Sequence, residues 1–174
     1  FNAIQHERAL IIAYQGYRQE SPIRVILHPW YLKQYNNRWF LIGNNPEFEN
    51  FTNLALDRIV SFSEIDKKYQ VSSIDFNEYF DDVIGVSISP ESIVSKIILQ
   101  ATPDLAPYIM TKPLHGSQKK ISNDSNVFRF SIEVIPNHEL EKLILSFGEG
   151  LQVMEPDSFK NTIKQRLLSS LANY

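Results

Sequence analysis

The chain has 174 residues, a formal net charge of −3 and a hydrophobic fraction of 43%, which are ordinary values for a globular protein of one large domain or two small ones. It contains no cysteine, which excludes disulfide bonds, thiolate zinc sites and a cysteine nucleophile and is compatible with a reducing cytoplasm. No apolar run approaches the roughly 20 residues of a membrane-spanning helix, so no membrane segment is predicted.

Short strands separated by turn residues are predicted in the first 65 residues. The predicted strands are 9–14, 23–27, 30–35, 38–42, 51–56 and 59–65. Strands 30–35 and 38–42 flank Asn36-Asn37, and asparagine tolerates the positive φ of a tight hairpin turn. So many short strands joined by brief turns predict a small curled barrel.

Residues 66–84 alternate between charged and aromatic side chains and are predicted to connect two domains, with a short helix inside. The predicted division is a barrel domain at 1–70, a connector at 71–84 and a second domain at 85–174. The elements predicted for the second domain are a strand at 93–99, a helix from Pro103 toward Met110, a hairpin of 117–122 and 127–135 over 123–126, a helix begun by Asn137 and ended by Gly148, a strand at 151–154 and a helix from Pro156. This βαββαβ order with a terminal helix is the ferredoxin-like pattern, and the predicted fold class is α+β.

Apolar periodicity predicts which faces of the second domain are buried. Alternation over one strand places Phe128, Phe130, Ile132 and Val134 on one face. Helical spacing predicts one stripe of Leu140, Leu143, Ile144 and Phe147, and a second of Phe159, Ile163, Leu167 and Leu171.

The residues with chemical potential do not form a catalytic or metal-binding pattern. The four histidines, His6, His28, His115 and His138, have no ligand-like spacing, so no metal site is predicted. The carboxylate pairs Asp81/Asp82 and Glu139/Glu141 lie in polar surroundings. Since no phosphate-binding glycine loop and no nucleophile elbow occurs, the sequence predicts no catalytic residue, no cofactor and no enzyme.

Four polar side chains lie on, or at the ends of, apolar strands of the first domain: Tyr14, Arg24, His28 and Arg58. An arginine is rarely buried without a partner, and two alternatives stay open here. In the first, Arg58 pairs with Asp57 or Glu64 and Arg24 pairs with Glu20. In the second, the four side chains converge into a cationic site in which arginines bind phosphate and the tyrosine and histidine stack or donate hydrogen bonds.

The distribution of charge argues against a general electrostatic attraction to nucleic acid. Up to Tyr69 the chain has 8 basic and 7 acidic residues, whereas from Gln70 it has 9 and 13. The first half therefore carries a balance of only +1, and any nucleic-acid site has to be local.

The first half resembles the WYL domain of bacterial transcriptional regulators. The likeness is carried by Tyr14, Arg24 before His28-Pro29, Leu32, Arg38-Trp39-Phe40-Leu41 and Leu56-Asp57-Arg58-Ile59. Trp39-Phe40-Leu41 matches the naming tripeptide, with Phe for Tyr, while the literal Trp30-Tyr31-Leu32 is interpreted as coincidental. The second half is similar to the WCX extension through His115-Gly116-Ser117-Gln118, Glu139-Leu140, Phe147-Gly148 and Val153-Met154-Glu155-Pro156.

The resemblance implies an Sm-like, SH3-type barrel followed by a ferredoxin-like domain. It also implies a cytoplasmic, homodimeric sensor of nucleic acid or a nucleotide-like ligand, bound by the four residues named above. The family passes this signal to a DNA-binding N-terminal helix-turn-helix. This domain was either removed, as we expect because the chain begins without Met and directly at the barrel, or the protein acts without one. One departure is that Phe51-Thr52-Asn53-Leu54 stands where the family often carries an Arg-x-Phe pattern.

The aromatic residues Trp39 and Phe40 are predicted to lie in the barrel core, and His28 is predicted to face the ligand. The alternative function is a protein–protein interaction or dimerisation module without a small ligand, in which Arg24 and Arg58 form structural ion pairs. An enzyme would require a carboxylate or histidine in a deep pocket near Arg58.

Overall fold

The chain folds into two compact units, Phe1–Phe80 and Asp81–Tyr174. A computed structural model describes residues 1–48, 51–89, 91–124 and 127–174, with the backbone alone for 122–124. Each unit contains one antiparallel sheet and a few helices, as expected for an α+β protein. The division falls inside the predicted connector. Within the described residues, no helix is long and apolar enough to cross a membrane.

The first unit is a five-stranded sheet in the order β4-β3-β2-β1-β5. Its elements are α1 (Asn2–Gln5), β1 (Ala9–Tyr14), β2 (Ile23–Tyr35), β3 (Arg38–Asn44), β4 (Phe51–Ala55), a 3₁₀ turn (Leu56–Arg58), β5 (Ile59–Ile65) and α2 (Phe76–Tyr79). Side chains from four of these strands form a core on one face: Leu10, Ile12, Val25, Leu27, Leu41 and Leu54. The structure differs from the predicted small curled barrel, because the edge strands β4 and β5 do not pair within the described residues and the sheet stays open.

Strand β2 is continuous where two strands, 23–27 and 30–35, were predicted. It pairs with β1 up to Leu27 and with β3 from His28 onward. The register shifts after Pro29, a bulge position where a residue without an N–H is tolerated. A Cβ on Gly43, opposite this position, would lie 2.3 Å from the carbonyl oxygen of His28, so the close approach of β3 requires glycine.

The hairpin between β2 and β3 confirms one expectation and corrects another. Asn36 and Asn37 have φ values of 47° and 61°, as the predicted tight turn requires. Trp39, predicted to lie in the core, is 46% exposed. It shares a strand face with the buried Leu41 but lies two residues closer to the turn, at the end of the hairpin.

Residues 66–80, here called the strap, lie in the predicted connector region and pack on β2. The Tyr69 hydroxyl donates to the carbonyl oxygen of Pro29, and the Trp30 indole N–H donates to the carbonyl oxygen of Gln70 at 2.7 Å. The Gln70 N–H in turn donates to Nδ1 of His28 at 3.2 Å. The strap is therefore attached at the point where β2 changes its pairing strand.

An aromatic cluster holds the helical part of the strap. Asp75 caps α2, and the Phe76 ring lies 5.0 Å from that of Tyr31, 6.3 Å from Trp30 and 6.5 Å from Phe51, between ring centroids. Trp30 and Tyr31, which lie outside the residues that match the naming tripeptide, thus anchor the strap through ring contacts.

The second unit is a four-stranded sheet in the order β7-β8-β6-β9. Its elements are β6 (Ser95–Ala101), α3 (Ala106–Thr111), β7 (Lys119–Asp124), β8 (Val127–Val134), α4 (His138–Leu145), a 3₁₀ turn (Gly148–Gly150), β9 (Leu151–Glu155) and α5 (Asp157–Leu171). This confirms the predicted βαββαβ order with a terminal helix. The predicted inward face of β8 is buried: Phe128, Phe130, Ile132 and Val134. Residues 125 and 126 of the predicted hairpin turn lie outside the described residues.

The two longer helices follow local signals to different extents. The Asn137 side chain accepts the Leu140 N–H at 2.8 Å, which confirms the predicted cap of α4. In α5 only the first half of the predicted apolar stripe is buried, through Phe159 and Ile163. Leu167 and Leu171 are 52% and 69% exposed, so a regular spacing of leucines did not by itself indicate burial.

Replacing Phe76 by alanine should destabilise the first unit. Phe76 is buried among aromatic rings, and truncating a buried phenylalanine costs about 3 kcal/mol or more. Both tryptophans, Trp30 and Trp39, lie in this unit, so urea unfolding followed by tryptophan fluorescence reports on it selectively. The matched control is Val71→Ala, on an exposed strap residue, which should leave the midpoint unchanged. Equal midpoints for Phe76→Ala and Val71→Ala would contradict this role of the strap.

The stability of the first unit should decrease as the pH falls below about 6.5. His28 is fully buried, and burial followed by the charge of Lys67 lowers its pKa below the ordinary value. The unfolded chain then binds a proton more readily than the folded chain does. The stability that this difference contributes is fully present above about pH 6.5, and it is lost as the pH falls toward the pKa of His28 in the folded state. Protonation of Nδ1 would also oppose the hydrogen bond from Gln70.

The measurement is urea unfolding by tryptophan fluorescence at about pH 7.5 and about pH 5. His28→Asn, which keeps an acceptor near the Nδ1 position, should flatten the pH dependence, while His6→Asn, at an exposed histidine of the same unit, should preserve it. A full wild-type pH dependence in His28→Asn would refute the assignment.

Candidate anion-binding site

Arg58 ends the 3₁₀ turn between β4 and β5, and the local backbone holds it beside the end of β1. The N–H of Gln15 donates to the carbonyl oxygen of Arg58 at 3.0 Å. Tyr14, the last residue of β1, lies opposite Ile59 in the ladder and packs against the core. Arg58 and Tyr14 therefore meet because β5 pairs with β1 immediately after the turn.

The guanidinium of Arg58 stacks on an aromatic ring. Its Cζ atom lies 3.8 Å from the ring centroid of Tyr17, which is a favourable cation–π geometry. Its Nε atom is buried and, among the described residues, has no hydrogen-bond partner. The Tyr17 side chain is 74% exposed, so the ring also presents surface to solvent.

The carboxylates predicted to pair with Arg58 have other partners. Asp57 forms an ion pair with Arg38, from Oδ2 to Nη2 at 3.2 Å, and Glu64 pairs with Arg8 at 3.1 Å. The ion pair of Arg58 with either residue is therefore wrong, because strand pairing brings a different arginine to each carboxylate. Arg58 forms no ion pair within the described part of the chain.

Two phenols stabilise the charge on Arg58. Burial alone would lower the pKa of the guanidinium, but its interactions with Tyr17 and Tyr14 outweigh that effect and raise the pKa above the ordinary value. Arg38 Nη2 also donates to the Tyr17 hydroxyl at 2.9 Å. Tyr17 thus contacts both guanidinium groups, one with its ring and the other with its oxygen.

The four predicted site residues divide into two groups. Tyr14 and Arg58 come together, as described above. Val25 and Leu27 point into the core, so the alternation of β2 places Arg24 and His28 on its opposite face. Arg24 is exposed there, and its predicted ion pair with Glu20 is absent from the described residues. His28 is buried, and its Nδ1 atom accepts the N–H of Gln70 in the strap.

The predicted site residues did not include Tyr17 and Arg38, and Asp57 was considered only as a partner of Arg58. Tyr17 follows Gly16 just after the strand that ends at Tyr14, so its nearness to Tyr14 was readable from the chain. The position of Arg38 depends on the β2–β3 hairpin and could not be read in the same way. In the described part of the chain, no three histidine, aspartate or glutamate side chains form a possible metal site. The group of two guanidiniums and two phenols suits binding of an anion next to a planar ring.

No curated protein sequence matches the chain. Two solved structures are similar to it. The first is proteasome accessory factor B/C (PafBC) of Arthrobacter aurescens, with 16% identity over 96% of this chain and 25% of that chain and a TM-score of 0.42. The second is a CRISPR Cas-related protein, with 11% identity over 99% of this chain and 49% of that chain and a TM-score of 0.54. The chain thus spans about a quarter and about half of these two proteins. The second likeness concerns the fold alone, and the first supports no conclusion at its TM-score.

Two family models match in the order that the resemblance implies. The WYL domain model matches residues 1–63, in the first unit, and the WCX domain model matches residues 94–170, in the second. The candidate site belongs entirely to the first of these matches, since Tyr14, Tyr17, Arg38 and Arg58 precede residue 63. The chain therefore belongs to the WYL domain-containing proteins, with a WYL domain followed by a WCX domain.

Proposed function

We propose that this chain is the ligand-sensing region of a transcriptional regulator and that its WYL domain binds a nucleic acid or nucleotide-like anion around Arg58. The main supporting observation is that the Arg58 guanidinium lies 3.8 Å from the centroid of the Tyr17 ring and has no ion-pair partner among the described residues. Family membership supports the regulatory role. The function is one of binding, without a catalytic step.

The electrostatics of the site favour an anion. A partly buried guanidinium without a carboxylate is unfavourable unless another charge compensates it, and phosphate oxygens fit its fork of donors. Arg38 adds a second cation within reach of the same tyrosine. Because the first half of the chain has a net charge of only +1, the attraction arises from these two side chains and not from a broad basic surface.

The aromatic residue favours a ligand that carries a base. The Tyr17 ring contacts Arg58 and is mostly exposed, which leaves surface on which a planar base can stack. Such stacking is worth about 1–3 kcal/mol per base and does not depend strongly on sequence. A short single strand, or a nucleotide, combines a phosphate for Arg58 with a base for Tyr17.

We infer that the open first sheet is of the Sm-like, SH3-type class and that the second unit is ferredoxin-like, since its strand order β7-β8-β6-β9 accompanies a βαββαβ element order. A cytoplasmic regulator that transmits the ligand-bound state to a DNA-binding domain is the setting that fits this family. Arg24 remains a predicted contributor to binding through its exposed side chain, and His28 remains one through its hydrogen bond to the strap.

Loss of Arg58 should weaken binding of short oligonucleotides. In a fluorescence-anisotropy titration with labelled single-stranded DNA and RNA, Arg58→Ala should raise the Kd about tenfold or more, because a charge-assisted, stacked contact is lost. The Kd of Arg58→Lys should lie between those of the wild type and Arg58→Ala, since lysine keeps the charge but lacks the planar fork of donors. Combining Arg24→Ala with Arg58→Ala tests whether the opposite face of β2 contributes.

The matched control is Arg8→Ala, which removes the same charge from an exposed ion pair elsewhere in the first unit. It should change the Kd by less than about twofold at physiological salt. The titrations are repeated at two salt concentrations, and binding should weaken with salt. Undetectable binding by the wild type, or equal effects of Arg8→Ala and Arg58→Ala, would reject the nucleic-acid proposal.

A second candidate function is self-association through α5. The observation in its favour is the exposed apolar second half of this helix, where Leu167, Leu168 and Leu171 are 52%, 49% and 69% exposed. Contiguous apolar surface of this kind often marks a protein-binding face. Under this proposal the chain is a homodimer, as expected from its family.

Light scattering after size exclusion tests this candidate. The wild type should be dimeric at high micromolar concentration, and Leu167→Glu with Leu171→Glu should be monomeric because two buried apolar contacts become charged. Ser169→Glu, at another exposed position of α5, is the matched control and should stay dimeric. A monomeric wild type would rule out self-association through α5.

A further inference from the structure

We propose that Asp57 is an internal anion that competes with the ligand for Arg38, so that Arg38 is a second anion-binding residue of the site and Asp57 sets the ligand affinity. This inference rests on the proposed function. It concerns the ion pair next to Arg58, in which Oδ2 of Asp57 lies 3.2 Å from Nη2 of Arg38.

Arg38 uses only part of its hydrogen-bonding capacity. Its Nη2 atom contacts both Asp57 and the Tyr17 hydroxyl, and within the described residues its Nε and Nη1 atoms make no hydrogen bond or ion pair. An arginine has five N–H donors in a planar fork. Asp57 therefore holds Arg38 by one contact and leaves donors for a second acceptor.

The ion pair is of a kind that a phosphate can replace. The side chains of Arg38 and Asp57 are 38% and 47% exposed, and ion pairs at such exposure contribute little to stability because water and salt screen them. A phosphate group can bind the same guanidinium through two parallel hydrogen bonds. Replacement of the Asp57 carboxylate by a ligand phosphate at Arg38 therefore costs little free energy.

Tyr17 links this exchange to Arg58. Its oxygen accepts a hydrogen bond from Arg38 at 2.9 Å while its ring lies against the guanidinium of Arg58 at 3.8 Å. Two cations on one tyrosine can bind neighbouring phosphates, or two oxygens of a single phosphate, beside a stacked base. The Asp57 carboxylate next to these cations lowers the local positive potential, so its presence weakens anion binding.

Removing the Asp57 charge should strengthen binding. We expect Asp57→Asn to lower the Kd of a fluorescein-labelled oligodeoxythymidylate about threefold to tenfold at low salt, with a smaller gain at high salt. Asp57→Ser should behave in the same way, while Asp57→Glu should bind as the wild type does because it keeps the charge. Circular dichroism and thermal unfolding check that each variant is folded.

The chain offers a close control in a second ion pair of the same type. Glu64→Gln removes an equal charge from the pair with Arg8, where the two side chains are 53% and 50% exposed, and should change the Kd by less than about twofold. In an Arg38→Gln background, Asp57→Asn should lose most of its effect, since the two residues act through each other.

The outcomes separate this inference from the proposed function. If the wild type binds and Asp57→Asn and Asp57→Ser bind no more tightly than Glu64→Gln, the role of Asp57 is overturned while the proposed function stands. If Asp57→Asn strengthens binding equally in the wild type and in the Arg38→Gln background, competition for Arg38 is overturned. If neither the wild type nor any folded Asp57 variant binds the oligonucleotide, the proposed function and this inference fail together.

Discussion

Strand β2 pairs with β1 along its first half and with β3 along its second, and the arrangement of the first unit follows from this change. At the changeover, Pro29 omits a donor and Gly43 allows the backbone of β3 to approach the carbonyl of His28. The strap is attached at the same place, through Gln70 and Tyr69. One face of β2 therefore packs in the core, and the strap packs on the other face.

In the proposed function, the ligand binds around Arg58, beside the end of β1. His28 accepts a hydrogen bond from the strap, whereas the Arg58 guanidinium lies against Tyr17, a residue that is 74% exposed. There the Arg58 guanidinium lies against aromatic and phenolic neighbours and, among the described residues, forms no ion pair with a carboxylate. A cation stabilised in this way stays available to an external anion, which a cation in a complete ion pair does not.

Features set by neighbours in the chain could be predicted from the sequence. The strands Ala9–Tyr14 and Ile59–Ile65, the Asn36-Asn37 turn and the Asn137 cap each follow from a local apolar run or from the backbone preference of one residue. The features that depend on pairing between distant segments were missed. Asp57 and Arg58 are adjacent in sequence, yet Asp57 pairs with Arg38, because the sheet and not the chain order determines which charges meet.

The same limit explains the remaining errors. Trp39 and Leu171 satisfy the periodicity of a buried face, but periodicity does not reveal where the packing surface ends. Closure of a barrel likewise depends on whether two edge strands meet, and no local pattern encodes that. In the candidate site, Tyr14 and Arg58 were named from their strand ends and Tyr17 lies just beyond one of those ends, whereas the position of Arg38 required the fold.

The central claim is that the Arg58 side chain is available to bind an anion. NMR of the arginine Nε–H groups tests this claim most directly. In protein labelled at arginine, the Arg58 signal, assigned by its absence in Arg58→Lys, should shift on addition of a short single-stranded oligonucleotide. The signal of Arg8, which is paired with Glu64, should stay in place. Shifts at Arg8 equal to those at Arg58, or an unchanged Arg58 signal at saturating oligonucleotide, would contradict the account.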